Sequence, residues 1–173
     1  LKPDLIFFTG DLVNNEAAEA EPFIEEFKRL KATHGVYSVL GNHDYGDYGP
    51  WSSQEAKAAN LQRLKEIHQE SGWNLLLNDN ITIQESNSKL AIVGVENWGA
   101  SRHFPKYGDL DKAVVGVEDV PFKILLSHDP SHWDAKVKEH SQKFQLTLSG
   151  HTHGAQFGIE IPGFKWSPVK YLY

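Results

Sequence analysis

The feature that most constrains the fold is the way in which four short apolar runs end. Each run passes directly into polar side chains that are able to bind metal ions: Thr9-Gly10-Asp11, Gly41-Asn42-His43-Asp44, Ser127-His128-Asp129 and Ser149-Gly150-His151-Thr152-His153. In open α/β sheets, ligands bind at the carboxyl ends of the strands. We therefore expect these side chains to meet in one crevice, although they lie far apart in the sequence.

Short apolar runs alternate with longer segments of helical periodicity, which predicts an α/β fold (α+β by some schemes) with helices on the faces of the sheet. Strands are predicted at residues 5–8, 36–40, 74–77, 81–84, 89–95, 122–126, 145–148 and 156–161. The first of them is apolar throughout, so we expect it to be buried on both faces. The three strands between residues 74 and 95 follow one another at hairpin distances, which predicts antiparallel pairing.

Three helices are predicted, over residues 18–31, 53–70 and 131–139. In the first, Phe23, Phe27 and Leu30 recur at the spacing of a buried helical face. The second is expected to begin after a cap at Ser53 and to stop at Gly72. Its buried stripe is predicted to consist of Ala56, Ala59, Leu64 and Ile67.

The composition narrows the kinds of site that this chain can form. The 173 residues carry a formal net charge of -6 and include no cysteine. The acidic balance argues against broad binding of nucleic acid or anionic membranes, and the lack of cysteine excludes a thiolate metal site. The remaining ligands are carboxylate, amide oxygen and imidazole, a mixed oxygen and nitrogen set that suits Mn, Fe or Zn.

Two features of the motifs favour a pair of metal ions. The carboxylate of Asp11 is the natural bridge, because it can offer an oxygen to each ion and its charge offsets their repulsion. His151 and His153 are one residue apart, so they reach different ions only if their loop is bent. Gly150 and Gly154 favour such a bend.

Four motifs resemble, in their order, the signature of the calcineurin-like metallophosphoesterases: Gly-Asp, Gly-Asn-His-Asp, a lone His after a strand and Gly-His-Thr-His. The resemblance extends over residues 9–154. It implies a layered αββα sandwich of mixed β-sheets flanked by helices. It also implies a metal-dependent phosphoesterase that hydrolyses phosphomonoesters or phosphodiesters by attack of a hydroxide activated by two divalent metal ions.

The resemblance assigns metal-binding roles by position. Asp11 would bridge both ions, and the second ion would also be bound by Asn42, His128 and His151. His153 would bind the first ion. One alternative concerns His128, because His132 follows it by four residues and would point the same way on a starting helix.

By the same resemblance, His43 is a catalytic residue rather than a ligand. It would lie beside the scissile phosphate and stabilise the transition state or protonate the leaving oxygen. Asp44 would orient its imidazole. A His with an ordinary pKa near 6.5 is a usable proton donor in such a place, and a neighbouring carboxylate favours its charged form.

The sequence departs from the family pattern at its start. That pattern opens with Asp-x-His on a strand before the Gly-Asp strand, and no such segment precedes Leu1. Residues 1–173 are therefore expected to form one calcineurin-like phosphoesterase domain that lacks this strand, with an incomplete first metal site and weak or no turnover. An unpaired strand edge would favour self-association.

Other questions stay open. A phosphorylated small molecule or a lipid-linked substrate is favoured over nucleic acid, and the choice between monoester and diester is undecided. The chain contains no apolar run of membrane-spanning length, so the compartment is undecided between cytoplasm and membrane tethering through a preceding segment. The alternative function is a non-catalytic metal-binding or interaction module that retains the fold. A structural zinc site is disfavoured, because it would not need a neighbouring unliganded His43.

Overall fold

The computed structural model describes residues 1–153 and 159–167. The strands are β1 (Ile6–Phe8), β2 (Val36–Ser38), β3 (Trp73–Leu75), β4 (Asp79–Glu85), β5 (Ser88–Gly94), β6 (Phe122–Leu126), β7 (Leu146–Leu148), β8 (Ile159–Ile161) and β9 (Phe164–Trp166). The α-helices are α1 (Ile24–Phe27), α2 (Gln54–Glu70) and α3 (Leu110–Ala113). Shorter helical turns lie at Ala17–Glu19, Glu21–Phe23, His43–Tyr45 and, in π-helical form, Trp133–Val137.

The strands form two main sheets. In the first, β1, β2 and β3 are parallel and adjacent in that order. In the second, the order is β4-β5-β6-β7, with β4 antiparallel to β5 and the other pairs parallel. The strands β8 and β9 form a separate antiparallel hairpin.

The two main sheets pack face to face, and helical segments cover their outer faces. The core between the sheets contains Tyr37, Val39, Leu76, Ile92, Ile124 and Leu126, which come from or directly follow strands of both sheets. A second core lies between α2 and the three-stranded sheet, and a third lies outside the mixed sheet around α3. The predicted αββα layering is therefore confirmed.

Helix α2 matches the sequence prediction closely. The hydroxyl oxygen of Ser53 accepts the backbone N–H of Ala56 at 3.1 Å, which satisfies one of the free donors at the helix start. Leu64 and Ile67 are fully buried, and Gly72 adopts a φ of 75° directly after the helix. Ala59 is exposed, so the prediction that it belongs to the buried stripe is wrong.

The helix predicted over residues 18–31 is not continuous. Two 3₁₀ turns and the short helix α1 replace it, because Pro22 lacks a backbone N–H and disfavours a helical conformation in the residue before it. Phe23 and Leu30 are 53% and 42% exposed, so they do not form the predicted buried face. Only Phe27 of that set packs against the core, where its ring lies 5.3 Å from that of Trp73.

The antiparallel prediction for residues 74–95 holds only for β4 and β5. Strand β3 pairs in parallel with β2, and the chain then crosses to the other sheet. Leu76 packs between the sheets at this crossing, and Asn78 turns the chain with a φ of 54°. Hairpin spacing alone could not distinguish a turn within one sheet from a step between two sheets.

Three further predictions agree with the structure to different extents. Strand β1 lies at the edge of its sheet in the described part of the chain, and its residues are half-buried rather than buried on both faces. The helix predicted over 131–139 is observed over residues 131–137, of which Trp133–Val137 are π-helical. The strand predicted over 156–161 is observed as β8, while residues 156–158 lie outside the described residues. Within the described ranges, no helix has both the length and the apolar character needed to cross a bilayer.

Candidate metal centre

The loops that follow four parallel strands bring the predicted ligands together. Asp11 follows β1, Asn42 follows β2, His128 follows β6 and His151 follows β7. The first two come from one sheet and the last two from the other, so the site lies where the two packed sheets end side by side. The expectation that distant side chains meet in one crevice is confirmed.

His128 Nε2 lies within hydrogen-bonding distance of a ligand atom of each of the other three residues. His128 Nε2 is 3.1 Å from Asp11 Oδ2, 3.2 Å from Asn42 Oδ1 and 3.2 Å from His151 Nδ1. His151 Nδ1 is 2.8 Å from Asn42 Oδ1. Among the described residues, the carboxylate and the two imidazoles also form a group whose ligand atoms all lie within 4.8 Å of one another.

Contacts outside the group of ligand atoms hold the side chains of His128 and Asn42. The Nδ1 atom of His128 lies 2.7 Å from the carbonyl oxygen of Thr9, and a carbonyl can only accept, so Nδ1 carries the proton. In neutral His128, the lone pair of Nε2 then points into the cluster. The amide nitrogen of Asn42 donates to the hydroxyl of Tyr48 at 3.0 Å, and in this arrangement the amide oxygen faces the same point.

The donor set fits a divalent cation. Two oxygen acceptors and an imidazole lone pair repel one another in a buried site unless a positive charge lies between them. Ligands that surround a small metal ion at about 2.0 to 2.2 Å are themselves separated by about 3 Å. The observed separations of 2.8 to 3.2 Å are of this size.

Asp11 and His128 shift each other's pKa. Burial raises the pKa of Asp11, but the hydrogen bond and charge of His128 and the N–H of His43 outweigh it, so the pKa is lowered. Burial likewise lowers the pKa of His128, and the hydrogen bond and charge of Asp11 reverse this effect, so the pKa is raised. A proton on His128 thus supplies a positive charge at the position where a metal ion would supply one, and protonation would compete with metal binding.

Backbone conformation brings these loops close together. Gly10 has a φ of 94°, and a Cβ atom there would lie 2.5 Å from the backbone nitrogen of Gly41. Asp11 and His151 themselves adopt φ values of 61° and 67°, which L-residues rarely do. Such strain persists only where the surroundings enforce it, and it is often found at functional sites.

Asp44 accepts hydrogen bonds from the backbone of two loops. Its buried carboxylate accepts the backbone N–H groups of Asp11, Leu12, Val13 and Gly41 at 2.7 to 3.2 Å. Burial raises the pKa of this carboxyl to about 6, helped by the charge of Asp11 and opposed by the backbone donors. The imidazole of His43 instead donates from Nδ1 to the carbonyl of Asn14 at 2.9 Å. No hydrogen bond joins Asp44 to the ring of His43 among the described residues, and the orientation of the ring by Asp44 stays a prediction.

His43 and His153 line an open cleft beside the cluster. The cleft has a volume of about 740 Å³ and also exposes Asp11 and His151. The ring of His43 packs against that of Tyr48 at 4.9 Å. His153 is exposed and has a φ of 49°, so the bend expected between the two histidines of the Gly-His-Thr-His string is present.

Comparison with known proteins identifies this constellation. Residues 1–155 match the family model of the calcineurin-like phosphoesterases. The chain belongs to this family. The motifs that resemble the signature of this family all lie within the matched residues.

Several metallophosphoesterases resemble the chain along most of its length. One from Caenorhabditis elegans is 34% identical over 170 residues, which cover 94% of this chain and 32% of that protein. YkuE of Bacillus subtilis (strain 168) is 32% identical over 164 residues, or 93% of this chain and 50% of YkuE. A transmembrane protein with a metallophosphoesterase domain from Bos taurus is 29% identical over 173 residues, or 97% of this chain and 37% of that protein. The chain therefore spans half or less of the length of these relatives.

A solved structure supports the calcineurin-like phosphoesterase fold. The sulfate thiohydrolase SoxB of Thermus thermophilus superimposes with a TM-score of 0.57 at 19% identity, covering 86% of this chain and 30% of the SoxB chain. At this identity, the similarity shows the fold alone.

The structure also separates the two histidines that follow β6. His128 lies in the phosphoesterase cluster, whereas Nδ1 of His132 lies 2.9 Å from the hydroxyl of Ser127. The ring of His132 stacks on that of Trp98 at 5.0 Å and 29°. His132 therefore lies outside the cluster, and the preference for His128 agrees with the geometry.

Sequence reasoning missed several groups around the phosphoesterase site. The carbonyls of Thr9 and Asn14 hold the rings of two histidines, and no side-chain motif reveals a backbone acceptor. Asp129 is buried with Oδ2 3.9 Å from Nε2 of His151, and its position next to His128 was an available signal. Tyr48 lies in a turn whose sequence offered no signal.

Proposed function

We propose that this domain is the catalytic part of a metal-dependent phosphoesterase that hydrolyses phosphomonoesters or phosphodiesters. The observation that carries the proposal is the convergence of ligand atoms from Asp11, Asn42, His128 and His151. Membership of the calcineurin-like phosphoesterase family supports it. We further propose that residues 1–173 belong to this one domain.

The residues divide into metal ligands and a proton carrier. In this proposal, Asp11 would serve as a ligand of both of two ions. Asn42, His128 and His151 would complete the ligands of one ion, and His153 would contribute to the other. Bound Mn, Fe or Zn supplies charge that polarises the phosphoryl oxygens and makes hydroxide available near neutral pH for in-line attack. The identity of the metals is left to experiment.

His43 is proposed to act on the leaving group. Its Nδ1 proton is donated to the carbonyl of Asn14, which fixes the ring at the wall of the cleft. The Nε2 atom is then the ring position that can give a proton to the leaving oxygen or donate to a phosphoryl oxygen. Asp44 is proposed to support this step indirectly, since it holds the backbone of residues 11–13 against residue 41.

The charge of the chain favours a small phosphorylated molecule or a lipid-linked substrate over nucleic acid. Binding of nucleic acid usually requires a basic surface, and the net charge here is -6. Similarity to a transmembrane protein with a metallophosphoesterase domain supports membrane tethering of the whole protein as the localisation to test. Pairing through the edge of β1 is the proposed route of any self-association.

The test is an assay of the full-length protein with a chromogenic phosphodiester and a chromogenic phosphomonoester in the presence of Mn, Fe, Zn, Co or Ni. We expect metal-dependent hydrolysis of at least one ester and a fall of about 10²- to 10⁴-fold in kcat for His43→Ala. Lack of turnover with every metal would refute the proposal. Metal binding without turnover would favour the non-catalytic module instead.

A further inference from the structure

Tyr48 is an exposed side chain that contacts both functional parts of the site. Its hydroxyl accepts the amide N–H of Asn42 at 3.0 Å, and its ring lies 4.9 Å from the ring of His43 at an angle of 48°. We propose that Tyr48 is a positioning residue that couples the metal ligand Asn42 to the proton carrier His43. The inference rests on the metal centre of the proposed function.

The contact with Asn42 matters because that amide is almost inaccessible to water. Asn42 is only 2% exposed, so a protein group has to satisfy its N–H. A cation at Oδ1 draws electron density towards the oxygen and makes the N–H a stronger donor, and the phenol oxygen of Tyr48 receives it. Partners of this kind, which orient a metal ligand from outside, typically change metal affinity by about 10- to 100-fold when they are removed.

The phenol does not choose the amide orientation by itself, because a hydroxyl can donate as well as accept. The cation selects the oxygen-inward orientation, and Tyr48 then holds the plane of the amide. Since the hydroxyl acts as an acceptor in this arrangement, its single proton remains directed away from Asn42.

The contact with His43 is of a different kind. The ring of His43 is held at Nδ1 by Asn14, and the face of Tyr48 restricts its rotation about that hydrogen bond. Loss of the hydroxyl alone should therefore disturb the metal ligand, whereas loss of the whole ring should also disturb the proton carrier. The two contacts can be separated by two substitutions.

The experiment compares Tyr48→Phe with Tyr48→Leu in the full-length protein. We expect both variants to weaken Mn²⁺ binding by about tenfold, as measured by calorimetry with Mn²⁺ alone. At saturating Mn²⁺, kcat of the Phe variant should stay within about threefold of the wild type, while kcat of the Leu variant should fall by at least about tenfold.

Tyr107→Phe is the matched control. Tyr48 and Tyr107 are both 47% exposed, and the ring of Tyr107 packs on Tyr45, away from the cluster. The control should leave Mn²⁺ affinity and kcat unchanged, and the unfolding temperatures of all three metal-free variants should agree with that of the wild type. Unchanged Mn²⁺ affinity in Tyr48→Phe, with normal binding by the wild type, would overturn this inference alone. Failure of the wild type to bind Mn²⁺ would overturn the metal centre and this inference together.

Discussion

Two regions of the molecule bury polar side chains in opposite ways. The strand-end loops, residues 9–15, 41–48, 127–132 and 149–153, bring several acceptors to one point and orient them with distant backbone groups. The α2 layer, between α2 and the three-stranded sheet, buries a single histidine, His68, against Ser38 and aromatic rings. A surplus of acceptors is useful where a cation binds, whereas an isolated imidazole has to stay neutral.

The difference predicts that substitutions in the two regions are separable. Changes to ligands in the strand-end loops should affect metal affinity, and changes in the α2 layer should affect the free energy of unfolding. Asp44 is the exception. It lies in the strand-end loops, but its substitution should affect the free energy of unfolding, because its carboxylate accepts backbone N–H groups of these loops.

The largest effect on stability is expected from Asp44→Ala. The substitution leaves four backbone N–H groups without their acceptor, at a cost on the order of 4 kcal/mol of unfolding free energy. Urea unfolding of the metal-free protein measures this value. Asp47→Ala, a change to a partly exposed carboxylate in the same segment, is the control and should cost far less. A loss of activity in Asp44→Ala with wild-type stability would instead favour the role in orienting His43 that the family resemblance implies.

The next effect separates the two buried histidines after β6. His128→Ala removes a proposed ligand and should weaken Mn²⁺ binding by more than about 100-fold, since the loss of even an outer partner costs about 10- to 100-fold. His132→Ala removes an equally buried ring that lies on Trp98, so it should lower stability and leave Mn²⁺ affinity within about threefold. Calorimetric titration with Mn²⁺ distinguishes the two. Equal losses of Mn²⁺ affinity in the two variants would mean that both histidines affect metal binding through the loop that they share.

The strand-end loops were the more predictable part of the site. Their side chains act at the ends of strands, and the identity and order of Asp11, Asn42, His128 and His151 are enough to predict that they meet. The sequence could not indicate the hydrogen bonds that backbone carbonyls accept or the groups that donate to the carboxylate of Asp44. These contacts depend on how loops from different strands approach one another. The positions of the glycines indicate that the loops come close but not which groups then meet.

The outer layers were less predictable for a physical reason. The α2 prediction succeeded because Ser53, Gly72 and the periodic Leu64 and Ile67 all agree on one helix. The prediction over residues 18–31 followed apolar spacing and gave too little weight to Pro22, whose missing N–H interrupts the helix. The position of His68 on the predicted helix gave no sign that its imidazole would lie inside the core.

His68 should make stability depend on pH. Burial lowers its pKa to about 4, and Nε2 has no hydrogen-bond partner within residues 1–153 and 159–167. The unfolded chain, with a pKa near 6.5, binds a proton that the folded chain does not, so stability is present above pH 6.5 and is lost as the pH falls towards 4. Between pH 7 and pH 5 the loss should be about 2 kcal/mol.

Denaturant unfolding at the two pH values in wild type and His68→Leu measures this contribution. The Leu variant should show a loss smaller by about 2 kcal/mol and retain the remainder, because burial also lowers the pKa of His132 to about 4. Identical pH dependence in the two proteins would show that His68 is already protonated, or is not buried, in solution.

The smallest effect tests whether the α2 layer is independent of the metal centre. Ser53→Ala removes the hydroxyl that accepts the N–H of Ala56, and the loss of such a cap costs about 1 kcal/mol of unfolding free energy. Ser53→Asp is the matched variant, because its carboxylate can cap the same N–H and interacts favourably with the positive end of the helix dipole. Ser53→Ala should leave Mn²⁺ affinity unchanged, since Ser53 caps the start of α2, whereas α2 contacts the ligand loops through apolar packing and through the hydrogen bonds of Asn60 with the carbonyl of Asn15 and of Lys57 with Asp47. A change in affinity of more than about threefold would show that the helix layer and the strand-end loops are coupled, because residues in independent regions have additive effects.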